Sequence, residues 1–180
     1  MGDTSLKEHL TGRASREEGA VTVRDGFLET ATVAVADSFS LYRIAVGHTP
    51  DAAAVGRAAR AGKIRLFTPA VAFAVACGMR TCWDEWCDQS HKEGTGFPVQ
   101  RFQELGGVEV VDLTAAETVA AGRLYAGCLE RRITGAEVLA ACHSALLAKE
   151  WKAPLVSAVR ASYCYSALDR TDLEYGIELL

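Results

Sequence analysis

Apolar positions along the chain alternate between short unbroken runs and longer stretches with helical spacing. The run "TVAVA", Thr32 to Ala36, is β-branched, small and apolar with no polar face, which predicts a strand buried on both sides in a parallel sheet. It delivers Asp37 at its carboxyl end, where open α/β sheets collect their ligands. "SLYRIAV" follows at helical spacing and Gly47 closes it. Thr49, Pro50 and Asp51 supply a cap oxygen, an N1 proline and an early acid, so the spacing predicts a helix over 50–61, ended by Gly62. "KIRLFT" reads as a second strand. Thr68-Pro69 is expected to open the next helix as Thr49-Pro50 does, and that helix, "AVAFAVACGM", is apolar all round, which predicts full burial.

"RTCWDEWCDQSHKEGTG" is the least regular stretch, a helical turn or two and a loop. Pro98 to Leu105 then predicts a short helix, Gly106-Gly107 a turn, and "VEVVDL" a strand at a sheet edge with one wetter face. Thr114 with Glu117 and Thr134 with Glu137 both have capping-box spacing, and Ile133 and Val138 sit where a hydrophobic staple would; the two helices are expected to run to about Glu130 and Glu150. "APLVSA" is a short buried strand, "RASYCYSALD" a helical or irregular connection and "LEYGIELL" a last strand. Strands alternating with helices imply βαβ units with right-handed crossovers, hence the α/β class: a three-layer α/β/α sandwich around a mostly parallel sheet of about five strands. Residues 1–29 read as a polar N-terminal extension, with capping-box spacing at Ser5/Glu8 and Ser15/Glu18, and residues 30–180 as one domain.

Composition narrows the functional classes. The chain has 180 residues and a formal charge of −4 with acids and bases interspersed, so no strong electrostatic footprint for nucleic acid is expected, and RNA is neither implied nor excluded. No apolar run has the length of a signal core or a membrane span, which gives the expectation of a cytoplasmic protein with no membrane partner. In that compartment the six cysteines are expected to be reduced and to behave as small hydrophobes.

The order and spacing of "VAVADS", "FTPAVAFAVA", "GVEVVDLTAAETVAAGRLYA", "ITGAEVLAACHSALLAKEWKAPLVSA" and "EYGIELL" resemble a PIN domain, the nuclease fold of many toxin–antitoxin toxins and RNA-processing enzymes. The resemblance covers about residues 30 to 180. It implies three or four carboxylates holding Mg²⁺ or Mn²⁺, because Mg²⁺ takes octahedral oxygen ligands and a lone acid holds it weakly. Asp37 matches the first acid. The second falls at or next to Val75, among Ala74 and Ala76; the third at Ala140 or Ala141; the fourth at Ala158 or Val159. Three of the four are thus replaced by small apolar residues, which favours stability once the cation no longer balances clustered acids. The resemblance therefore implies a degenerate active site and a binding or scaffold protein, a homodimer or one with a protein or RNA partner, with no cofactor.

Other residues offer competing roles. Asp37 is also a favoured N-cap for the helix at 38–46, or a contact for some other ligand. A working Mg- or Mn-dependent endoribonuclease would use Asp37 with non-aligned acids such as Glu137, Asp84 or Glu85; a third reading is a small-molecule site lined by Cys77, Cys142 and the nearby alanines. Trp83 and Trp86 are candidate binding residues, as an anchor for a partner or a stacked base, set against ordinary packing. Cys77, Cys82, Cys87 and His91 lack the paired spacing of structural zinc, so no metal site is assigned to them. Cys142 and His143 are adjacent on a helix, about 100° apart, and so are poorly placed as a nucleophile–base pair. Arg57, Arg60, Lys63, Arg65 and Arg80 form the densest basic stretch, a pattern that solvated helix faces also give.

Overall fold

The computed structural model describes residues 32–79, 97–158, 162–165 and 177–179. The extension at 1–29, the irregular stretch with Trp83 and Trp86, and Val159 lie outside the described residues. Strand β1, Val33–Ala36, is followed by α1, Ser38–Val46, and α2, Pro50–Arg60; then come β2, Arg65–Pro69, α3, Ala70–Gly78, α4, Phe97–Glu104, and β3, Glu109–Val111. The hairpin of α5, Ala115–Glu130, and α6, Ala136–Trp151, leads to β4, Leu155–Ser157, the short α7, Ser162–Tyr165, and β5, Ile177–Leu179.

The fold is α/β with a parallel sheet. Strands β3, β2, β1 and β4 lie side by side in that order, and β5 pairs parallel to β4 beyond it. β1 sits between β2 and β4, in register Val35 with Phe67 on one side and with Leu155 on the other. Ala34, Val35 and Ala36 are wholly buried, as the unbroken apolar run requires. Strand β3 occupies the edge beside β2 and keeps Glu109 and Val110 exposed, so the alternation of valine and acid did mark an edge. No described helix is long and apolar enough to cross a membrane.

The helix ends follow their local signals in most places. Thr49 Oγ1 accepts from the Ala52 amide at 3.0 Å with Pro50 at N1, and Gly62 leaves the helix at φ 68°. Gly47, at φ 65°, donates to the last carbonyls of α1. Thr114 and Glu117 form the reciprocal capping box.

Three expectations fail for identifiable reasons. Thr134 does not cap α6: the chain turns through Gly135 at φ 131°, which takes the N-cap position without a side-chain bond. Thr68 does not open α3 either, because it stays in β2 and spends its buried hydroxyl on the Ala36 carbonyl across the sheet at 3.0 Å. And α3 is not buried all round: Ala72 and Ala76 are buried, Val71, Phe73, Val75 and Cys77 are half-buried, and Ala74 is exposed. An all-apolar circumference fixes which residues can be buried; the neighbours of α3, chiefly α6 and α1 and to a lesser extent β2 and β3, cover only part of it.

Candidate functional site

The strand order places β2 and β3 on one side of β1 and β4 on the other, so the chain reverses direction across the sheet between β1 and β4. Connections diverge there and leave a crevice at the carboxyl ends, the usual ligand position of an open parallel sheet. Asp37 leaves β1 at that point and Ser157 ends β4 beside it.

Asp37 is the N-cap of α1. Its backbone is extended (φ −80°, ψ 178°), and Oδ1 accepts from the Ser40 amide at 2.8 Å. Oδ2 accepts from two hydroxyls, Ser157 Oγ at 2.5 Å and Tyr165 Oη at 2.6 Å. Ser40 Oγ ties the same corner to β4 by donating to the Val156 carbonyl at 2.7 Å. One carboxylate therefore joins β1, α1, β4 and α7. The residue is 1 % exposed, so the crevice at this point is closed by the chain's own groups.

Burial disfavours the charge and raises the Asp37 pKa above the ordinary carboxylate value; the Ser157 hydroxyl, the Ser40 amide and the Tyr165 hydroxyl act the other way without cancelling it. Burial, and then the neighbouring Asp37, hold the Tyr165 phenol well above its usual range, so it remains a donor.

The remaining aligned positions supply no carboxylate. Val75 is half-buried and packed against the core, while Ala140, Ala141 and Ala158 are buried. Glu137 lies against Gly135, where a Cβ would overlap its carboxylate, and accepts from Tyr163 Oη at 3.2 Å. Among the described residues no group of three His, Cys, Asp or Glu side chains is placed to hold a metal ion. A hard divalent cation needs several oxygens with open lone-pair directions. Among the described residues a single acid stands here and already engages three donors, a set that by itself does not fit Mg²⁺ or Mn²⁺.

The other candidates separate. Cys142 turns toward Cys128, with their sulfurs 4.0 Å apart, and His143 points elsewhere with Nδ1 buried and unpartnered, so the two form no dyad. Burial lowers the His143 pKa. Cys77 is half-buried and its thiol is raised by burial. Arg65 makes a two-pronged ion pair with Glu109 and lies over the Phe67 ring at 4.9 Å, and Arg60 lies over Phe102 at 5.8 Å. Asp84, Glu85, Arg80, Cys82, Cys87 and His91 fall outside the described residues.

Sequence reasoning missed Ser157 and Tyr165. Ser157, as the polar end of the otherwise apolar "PLVS" strand, carried a signal; Tyr165 lies far from Asp37 along the chain and carried none. A scan against protein-family models finds no match, and a search of the curated proteins finds none either.

Proposed function

We propose that the chain is a PIN-like α/β/α domain that has lost metal-dependent nuclease chemistry and works by binding, with a second copy of itself or with a protein or RNA partner. One observation carries the reading: the Asp37 carboxylate is consumed by Ser40, Ser157 and Tyr165 inside a closed crevice. An acid used in this way joins secondary-structure elements and keeps about one of its four lone-pair sites, too little to hold a divalent cation and its waters by itself. The apolar side chains at Val75, Ala141 and Ala158 support the same reading, since clustered acids without a counter-ion would destabilise the site they replaced.

Support for a binding role comes from α5. Ala115, Val119, Gly122, Ala126 and Leu129 are all exposed and follow one another by four, three, four and three residues, which lines them along one side of the helix. Val119 and Leu129 are 57 % and 46 % exposed, a bulk of apolar surface that a partner helix or sheet would cover.

Calorimetric titration of Mn²⁺ and Mg²⁺ into the full chain, with an RNA-cleavage assay on the same preparation, tests the loss of nuclease chemistry. The expected result is no saturable metal binding and no cleavage. Metal-dependent cleavage abolished by Asp37→Asn overturns it. Sedimentation velocity reads the partner: a dimer split by Val119→Glu identifies a second copy, and a monomer in both chains leaves a protein or RNA partner.

A further inference from the structure

We propose that Cys128 and Cys142 form an oxidisable dithiol, which hydrogen peroxide closes into a disulfide tying α5 to α6. The two sulfurs are 4.0 Å apart, both residues are wholly buried, and both are free thiols. A disulfide requires about 2.05 Å, so each sulfur needs to travel only about 1 Å. The helices that carry them pack side by side and are joined by a short turn at 131–135. That turn is held in shape: the Ile133 amide donates to the Cys128 carbonyl at 3.0 Å, and Arg132 and Gly135 adopt positive φ. The pairing therefore does not depend on a long loop finding its partner.

The chemistry balances with peroxide as the oxidant. One thiolate attacks a peroxide oxygen, the O–O bond breaks, hydroxide leaves, and the sulfur becomes a sulfenic acid. The second thiol attacks that sulfur, the S–O bond breaks, the oxygen leaves as water, and the S–S bond forms. Two thiols are oxidised and one peroxide is reduced to two waters. Burial pushes the Cys142 thiol far up, so thiolate is scarce and closure is slow. Zero exposure admits only a small oxidant, and among the described cysteines bulky disulfides react first at half-buried Cys77.

The bond forms close to the Asp37 corner. Cys164 lies near enough to Cys142 to raise further the cost of a thiolate there, and its chain neighbour Tyr165 donates to Asp37. This inference stands apart from the PIN-like reading and survives its failure.

Peptide mapping tests it on the natural chain. The full protein is held at neutral pH with or without hydrogen peroxide, quenched in acid, alkylated under denaturing conditions and digested without reductant. The expected result is a Cys128–Cys142 linked peptide lighter by two hydrogens, present only after peroxide and abolished by dithiothreitol. Alkylation of both residues after peroxide overturns the proposal, as does a Cys142–Cys164 link in its place. Cys128→Ala, matched to the wild type by circular dichroism, is expected to lose the link and keep Cys142 alkylatable; a Cys142–Cys164 link in that variant alone agrees with the proposal, since it shows that Cys128 is the preferred partner.

Discussion

Replacing Tyr165 with Phe removes one oxygen from the Asp37 corner and leaves the rest in place. Tyr165 is 3 % exposed, so the phenylalanine ring occupies the same buried volume and opens no cavity. What is lost is the 2.6 Å bond to Oδ2, which is charge-assisted while Asp37 is ionised. Hydrogen bonds to charged groups contribute about 1.5–3 kcal/mol and neutral ones about 1 kcal/mol. Ser157 still donates to the same oxygen, so the lower half of the charged range applies, about 2 kcal/mol wherever Asp37 is ionised.

The pH dependence gives this prediction a second, independent handle. Asp37 titrates higher in the folded chain than its unfolded value of about 3.9, so protonation contributes stability that is complete below that value and is lost as pH rises through the folded pKa. The Tyr165 hydroxyl works against this loss by favouring the ionised form. Without it the folded pKa rises further, and the cost of the substitution grows with pH across that window. Urea unfolding followed by circular dichroism across a pH series should show a deficit of about 2 kcal/mol above the folded Asp37 pKa shrinking to about 1 kcal/mol below it. A deficit under about 0.5 kcal/mol throughout the series, or one that grows in acid, refutes an Asp37 held by Tyr165.

Four further outcomes follow from the helix ends and the core. Thr114→Ala should cost about 1 kcal/mol by breaking the capping box, while Thr134→Ala should be close to neutral because Gly135 is the cap; urea midpoints at equal slope separate them. Arg132 and Lys152 close α5 and α6 at φ 62° and 52°, so Arg132→Gly and Lys152→Gly should each stabilise by about 1 kcal/mol, read as a rise in thermal midpoint. Gly107→Ala should destabilise, because a Cβ there would overlap the buried Phe102 ring; an unchanged midpoint would contradict the packing. His143 is buried with its folded pKa below the ordinary value of about 6.5, so its contribution is present above that value and lost as pH falls through the folded pKa; His143→Gln should flatten stability against pH below about 6.5.

Signals that act within one turn of chain were legible, and signals that depend on what lies across the molecule were not. The buried run at 33–36, the caps at Thr49 and Thr114 and the exits at Gly47 and Gly62 each follow from residues within four positions of one another. Thr68 and Thr134 carried the same local signals and lost to competition. For Thr68 a carbonyl across the sheet is the better partner, because a buried hydroxyl must be satisfied. For Thr134 the helix starts one residue later than the threonine needs. The all-apolar α3 misled for a related reason, since composition gives the capacity for burial and only the neighbouring layer decides how much is used.

The Asp37 corner shows how far a single legible residue reaches. Its position at the end of a buried strand, one residue before a helix, fixed two roles at once, a cap and a site acid, and no pattern along the chain could choose between them. Ser157 and Tyr165, which come from β4 and α7, add a structural partner on each side of that cap. Taking an isolated carboxylate out of water costs several kcal/mol even after the protein relaxes. Three donors at about 1.5–3 kcal/mol each, with the N-terminus of α1 adding up to about 2 kcal/mol, are of the size needed to offset it. That the pKa still ends above its ordinary value means the offset falls short for the ion, although three of the acid's roughly four lone-pair sites are engaged. Oδ1 turns to the N-terminus of α1 and Oδ2 to the hydroxyls of β4 and α7, so one carboxylate holds β1, β4 and α7 together.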